Sequence, residues 1–469
     1  MGKLANVIQR VSVVLPQVPK PVRKLDLKEK IIWSGIALAI YLAMGQIPLY
    51  GVPPGQQDPF AFARVIFASQ QGTLLSLGIA PIIDAGLILQ LLKGAEIIKI
   101  DLKKPEDRGL YTSATKVLTV IITVGMAFAF AVAGIFGPDP SPTTMFIIIA
   151  QLFVAGIVIM LLDEMIQKGW GIGSGISLFI LAGIAQQVLW SLFSIIPVSD
   201  GPLGVIPFMV SSLLSGNLGA VILRPGGFPS LFALIVTIII VLIIVYISGM
   251  RVEIPITSKK MRGFSGAYPL KLMYTSTVPI ILVSALAANM NFLGQFIWSQ
   301  FNPSNDSTFF NLIATYTREG NSVIPDGGLI YYITSPGGFE GAVQDPTRAV
   351  SYILFMMGMA VIFSKLWVEL GGLSAREAAK NLMGSNVQVT GFRSANVTIE
   401  ALLNRYIPTL TIFSGLMIGL LAGVADITNA FGTGTGLLLL VDITLNLYQA
   451  LMKERLDVMM PGLAGLLGK

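Results

Sequence analysis

Cysteine and histidine do not occur in this chain of 469 residues. Their absence removes disulfides, thiolate nucleophiles, imidazole metal ligands and every protease mechanism that runs through a histidine base. Charge is also scarce. Asp, Glu, Lys and Arg make up 12% of the residues, against about 25% in an ordinary soluble domain. No lysine follows the glycine cluster near residue 173 in the P-loop pattern, and no paired aspartates mark a polyprenyl-transfer site. The chain is therefore expected not to be an enzyme, and the energy for any transport must come from a partner.

What is present is apolar: 54% of the residues are hydrophobic, which makes this an integral membrane protein with many spans. Ten segments are long enough to cross a bilayer, near 31–49, 73–92, 112–136, 143–162, 172–196, 230–249, 271–292, 347–368, 406–427 and 434–452. The apolar piece 203–214 reads as an interfacial or re-entrant hairpin. With the N-terminus in the cytoplasm and the spans alternating, all but four of the 31 Lys and Arg fall inside. Those four are Arg64, Arg224, Arg318 and Arg348. That bias supports both the orientation and an even number of spans. Residues 1–30 are basic and lack the apolar core of a secretory signal peptide, so they read as a cytosolic surface segment. Five spans per half make any repeat an inverted one. The expected division is 31–200, an external hairpin and hinge at 201–229, and 230–469 with long cytosolic loops at 250–271 and 369–405.

The second span is too irregular for an anchor. Pro81 cannot donate to the Leu77 carbonyl, so the helical ladder is expected to break there. Asp84 follows, an acid that costs roughly 2.5–3.5 kcal/mol at the centre of a membrane helix. Ile79 and Ile83 are four apart among Gly78, Pro81 and Gly86. The stretch Leu162–Ile176 repeats the arrangement: Gly171, Gly173 and Gly175 surround Ile172 and Ile176, also four apart and expected on one face. Close helix packing accounts for such small residues. The other reading is a narrow apolar collar that excludes water. Before the second span, Asp58–Ser69 is apolar and helix-capable but too short to span. Either it floats on the outer leaflet, or it folds back into the protein. The basic loops around Arg251–Arg262 and Arg376–Arg405 exceed what a connector needs. Retention near anionic lipid explains their charge, and a platform for an acidic partner such as RNA explains their length as well.

Taken together and in order, these stretches resemble the SecY family, the large subunit of the protein-translocating channel, in its archaeal branch. The carriers are Thr73–Ile83 with Ala85, Gly86 and Gln90, then Leu162–Glu164 with Gly171–Ile176, Arg251–Pro255, Tyr268-Pro269, Gly391–Arg393, Arg405–Pro408 and Gly434–Gly436. The resemblance implies an all-α polytopic membrane protein, with ten transmembrane helices in two inverted pseudo-symmetric halves around an hourglass pore. It puts Ile79, Ile83, Ile172, Ile176, Val278 and Leu438 on a pore ring. It makes the segment with Pro59, Phe60, Phe62, Arg64, Val65, Ile66 and Phe67 a plug, and assigns Asp84, Gln90, Thr277 and Pro279 to a lateral gate. Arg251, Lys259, Lys260, Arg262, Arg393 and Arg405 would face a docked ribosome. The implied partners are a SecE or gamma subunit, a beta subunit, the ribosome, signal sequences, nascent polypeptides and membrane lipid, with no cofactor and no metal. The implied site is the plasma membrane, with both termini cytoplasmic. One departure stands out. Relatives usually carry a small hydroxyl residue after Ile83, and often an acid on the third helix where this chain has Met126; the resemblance implies the hypothesis that an acid has changed helices within the gate's polar cluster. The alternative function is a secondary transporter with inverted repeats, with Asp84 and Asp442 as its intramembrane acids.

Overall fold

A computed structural model describes residues 10, 12, 15–23, 25–52, 67–94, 97–98, 100, 104–132, 136, 141–198, 201–215, 219–222, 224, 228–258, 265–319, 322–384, 387–389 and 396–459. Its long helices are α1 (Leu27–Met44), α2 (Ala80–Gly94), α3 (Pro105–Val132), α4 (Pro142–Met165), α5 (Gly175–Phe193), α6 (Leu231–Gly249), α7 (Val278–Phe301), α8 (Pro346–Leu370), α9 (Asn396–Ile427) and α10 (Gly434–Met459). Each expected span overlaps one of them. The last eight are long and apolar enough to cross a membrane by length and composition. The first two fall short for visible reasons. α1 carries Lys28, Glu29 and Lys30 in its first turn, and α2 has 15 residues, roughly 22 Å at 1.5 Å per residue.

The starts of these helices follow local chemistry. Ser141 caps α4 by accepting the Thr144 N–H, with Pro142 in the first turn. Ser230 does the same for α6 through Ala233. Asp345 caps α8 through Arg348, again with proline following. The apolar piece after α5 forms a short helix, Val205–Leu214.

Contacts group the chain into two units. One is Met1–Val188, Ala288–Tyr331 and Ile443–Lys469, and the other is Leu189–Ala287 and Tyr332–Asp442. In the first, the ends of several helices are tied together by polar groups. Glu164, at the end of α4, pairs with Lys116 of α3 and with Lys168, each at 2.9 Å. Lys116 and Lys168 also donate to the carbonyls of Pro16 and Val18, and the Trp170 indole donates to that of Pro19. Lys30 pairs with Glu454 near the end of α10. The starts of α1 and α3 and the ends of α4 and α10 therefore share one face, as alternation of an even number of spans requires. Elsewhere in this unit a hairpin, Thr315–Glu319 with Ser322–Gly327, is pinned by Tyr316. Its hydroxyl donates to the Asn291 carbonyl and side chain, and burial pushes its phenol above the usual range.

In the second unit, the two long basic loops meet in one sheet. Strand β1 (Arg251–Ser258) pairs antiparallel with β2 (Ser265–Lys271) on one edge and with β3 (Val387–Val389) on the other. Alternation along β1 exposes Arg251 and Glu253 and buries Ile254. Ile254 and Leu270 pack on Val368 of α8, Ala379 of the short helix Ala375–Gly384, and Leu403 and Ile407 of α9. α8 and α9 pack closely: a Cβ at Gly415 or Gly419 would come within 2.8 Å of the Val361 Cα or 2.6 Å of the Met357 Cα.

Candidate functional site: helix starts and a polar contact in the membrane

The break in the second span lies earlier than expected. Residues 73–79 form turns, and α2 begins at Ala80, so Pro81 stands in its first turn rather than interrupting it. That is the favoured position for a residue without an N–H. Gly78 has φ +53°, and a side chain there would run into the Phe67 carbonyl and Ser69. The Ile79 N–H donates to that carbonyl at 2.8 Å. The Ile79 carbonyl in turn accepts the Ile83 N–H at 3.1 Å. The two isoleucines thus keep a one-turn relation, although Ile79 precedes the helix. Ile79 is fully buried and Ile83 half-buried.

The second pair is built differently from the sequence expectation. α4 ends in a π turn, Ile166–Trp170, and Ile172 follows in a bend before Gly173 at φ +73°. Ile172 and Ile176 therefore do not share a helical face. Only Ile176 is in α5, because the left-handed glycine interrupts the backbone between them. Each is fixed through its main chain: the Ile172 N–H donates to Ser34 Oγ and the Ile176 N–H to Asp163 Oδ1, both at 3.0 Å. A Cβ at Gly171 would come within 2.8 Å of that Ser34 oxygen, and one at Gly175 within 2.6 Å of the Asp163 Cα. Glycine is required for these approaches.

The second unit repeats the device. Ser276 at φ +55° precedes Val278, the first residue of α7. Asp442 accepts hydrogen bonds from Ser276 Oγ at 2.7 Å and Thr277 Oγ1 at 2.6 Å. Thr433 at φ +61° precedes Gly434, the first residue of α10. Asp426 accepts the Gly434 N–H and the Tyr352 hydroxyl, each at 2.7 Å. Leu438, one turn later, is fully buried, and Val278 is half-buried.

Asp84 meets α7 within the first unit. Asn289 donates its side-chain amide to Asp84 Oδ1 at 3.5 Å, the outer limit of a hydrogen bond. Beside this contact lies a cavity of about 30 Å³, whose walls include Ser76, Leu77, Met126, Phe130, Asn289 and Phe292. Phe130 of α3 and Phe292 of α7 pack with ring centroids 5.0 Å apart. Met126 thus shares a wall with Asn289, the partner of Asp84. Gln90 lies farther along α2, half-buried. Thr277 and Pro279 are buried at the start of α7, with the threonine hydroxyl committed to Asp442.

Of the plug residues, Pro59, Phe60, Phe62, Arg64, Val65 and Ile66 lie outside the described residues. Phe67 is described and buried, and the next carbonyl, of Ala68, accepts the Tyr41 hydroxyl at 2.6 Å. Of the docking residues, Lys259, Lys260, Arg262 and Arg393 lie outside the described residues. Arg251 is exposed on β1 opposite Lys271, and Arg405 is exposed on α9. Sequence reasoning missed Asn289, Ser34 and Asp426. An amide within an apolar span was a usable signal for the first. A serine or an acid that binds a distant main chain leaves no local pattern.

Comparison with known proteins agrees along nearly the whole chain. The sequence profile of the SecY family matches residues 73–448, and that of the plug domain of Sec61p matches residues 40–72. The Sec61 subunit alpha protein transport protein of Dictyostelium discoideum is 40% identical over 97% of this chain and 98% of its own. A solved protein-conducting channel superposes with a TM-score of 0.82 at 35% identity, covering 97% of this chain and 98% of its own. Sec61 in the canine ribosome-channel complex of the endoplasmic reticulum gives 0.79 at 35% identity, with the same coverage.

Proposed function

This chain belongs to the SecY family, and on that premise we propose that it is the pore-forming subunit of a protein-conducting channel, passing unfolded polypeptides across a membrane and releasing apolar segments into it. It is a multi-span membrane protein with a plug domain, and it performs no chemistry on its substrate. The observation that carries the reading is the build of the helix starts. At each one, polar groups of neighbouring segments are spent on main-chain atoms or on turn hydroxyls, and the residues singled out by sequence are purely alkyl: Ile79, Ile83, Ile172, Ile176, Val278 and Leu438. Such residues have no specific ligand to offer. They suit a constriction that excludes water when shut and yields to any passing side chain when open.

In this proposal those six residues form the pore ring, and the segment from Pro59 to Phe67 is the plug. Asp84, Gln90, Thr277 and Pro279 belong to the lateral gate. Spans 31–200 and 230–469 are the two halves. The channel sits in the plasma membrane with both termini cytoplasmic, joined by a SecE or gamma subunit and a beta subunit. The ribosome docks on the surface bearing Arg251, Lys259, Lys260, Arg262, Arg393 and Arg405. The sheet that joins the two basic loops supports this, because main-chain pairing gives otherwise flexible cations a common base. A transporter would need a free polar site near mid-membrane. Here Asp442 is occupied by the hydroxyls of Ser276 and Thr277, and Asp84 is in contact with Asn289.

The test is site-specific cross-linking from positions 79, 83, 172 and 176 to a secretory chain arrested in transit. Contacts from all four are expected. Contacts confined to lipid-facing positions would sink the ring.

A further inference from the structure

Three acids in or at the ends of apolar helices share a feature that the channel reading leaves unused. Asp163 of α4 accepts the Ile176 N–H in the first turn of α5. Asp426 of α9 accepts the N–H of Gly434, which opens α10 one turn before Leu438. Asp442 of α10 accepts both hydroxyls of the turn that leads into Val278. Each acid therefore ties down the start of a helix that follows a left-handed residue: Gly173, Ser276 or Thr433. Asp163 and Asp426 each have a further anchor, and Asp442 makes two bonds to the turn itself. Gln167 donates to Asp163 Oδ2 at 2.7 Å, Tyr352 donates to Asp426, and Asp442 holds two hydroxyls. Asp163 is buried and Asp426 and Asp442 are half-buried; an acid in or at the end of an apolar helix is expensive, so its retention at three such starts asks for a reason beyond anchoring.

We infer that Asp163, Asp442 and Asp426 are positioning residues that hold the starts of three of the collar-bearing helices, α5, α7 and α10, in place and so set how tightly the closed channel seals. The inference rests on the ring reading above. The acids act as hydrogen-bond acceptors, not as carriers of charge. An uncharged acceptor of the same shape therefore serves as well. In Asp163→Asn, the amide oxygen keeps the Ile176 N–H, and its nitrogen faces a Gln167 that offers either end of its own amide. In Asp426→Asn, the oxygen keeps the Gly434 N–H while the nitrogen donates to Tyr352. In Asp442→Asn, the oxygen keeps both hydroxyls. Leucine keeps the same branched heavy-atom skeleton in a bulkier form and accepts nothing.

The experiment uses the full channel complex in liposomes, with resting anion leak and export of a reporter bearing a defective signal sequence as readouts. Unfolding temperature is measured on the same samples. The three Asn variants are expected within about twofold of the parent in both readouts. The Leu variants are expected to leak several times more and to export the defective reporter, with the Asn variant at each position as the conservative rescue. Leu variants that fold and seal like the parent overturn the inference. So do Asn variants that lose activity, which would make the charge itself the working part. A Leu variant that fails to fold is replaced by the paired change Ser276→Ala with Thr277→Val, which deletes both hydroxyls held by Asp442. That variant must leak, or the inference fails. Ile83→Asn is run in parallel: if it leaves the leak unchanged, the ring reading fails, and that result is distinguishable from failure of the clamps.

Discussion

Among the described residues, Asp84 is held by one long contact. The 3.5 Å separation from Asn289 makes it a weak bond that can break without a large penalty. Polar pairs between membrane helices average about 0.6 kcal/mol, which corresponds to roughly a threefold change in an equilibrium. If Asp84 belongs to the lateral gate, as proposed, a latch that opens for each signal sequence needs a value of this order. A double-mutant cycle with Asp84→Leu and Asn289→Leu is expected to show coupling of about 0.5–1 kcal/mol in the free energy of gate opening. Fluorescence reporters across the gate in the full complex measure it. Full additivity of the two changes would separate Asp84 from the gate. Asp84→Thr, which restores the small hydroxyl expected from relatives, should lie close to the parent but open more readily. If Asp84→Thr leaves closure and the response to signal sequences unchanged, the relocation of the acid to α2 has no functional weight.

Elements in this protein are held by small residues. Gly415, Gly419 and Gly423 fall on one stripe of α9, four apart, and face the backbone of α8. At Gly419 even one added carbon would lie 2.6 Å from the Met357 Cα. Gly419→Leu is expected to force the helices apart at a cost of about 1–3 kcal/mol, the usual range for overpacking a close contact. Thermal unfolding of the detergent-solubilised complex reads this as a lowered midpoint. An unchanged midpoint would mean that the two helices pack more loosely than the contact implies. The broken second span follows the same logic. The spacing of Gly78 and Pro81 correctly marks an interruption, but the interruption belongs to the turns before the helix. A proline in the first turn costs nothing that the helix would otherwise have had.

At the largest scale, the first unit shows a common face in its ion pairs. Helix ends that alternation puts on one face are joined by Lys30–Glu454, Lys116–Glu164 and Lys168–Glu164. The basic loops converge through β1, β2 and β3. If that sheet carries the ribosome-docking surface, Arg251→Glu with Arg405→Glu should weaken binding of empty ribosomes about tenfold near physiological salt. The difference should shrink as salt rises, because exposed pairs are screened. Binding assays across a salt series decide it. Undiminished affinity would move docking elsewhere.

Sequence alone determined the class, the number and order of spans and the isoleucines at 79, 83, 172 and 176, which follow from hydropathy and glycine–proline spacing, both local properties; Val278 and Leu438 came from the family resemblance. Sequence also marked residues 251–262 as strand-like. Only the tertiary structure decided where helices begin, because a start is set by partners far away along the chain. Ile172 leaves the helical face because Ser34 and a left-handed Gly173 hold it in a bend. Asp442, open to a transporter's role by position alone, is taken by Ser276 and Thr277 from another segment. A buried polar group must find a partner, and which partner it finds depends on how the helices pack.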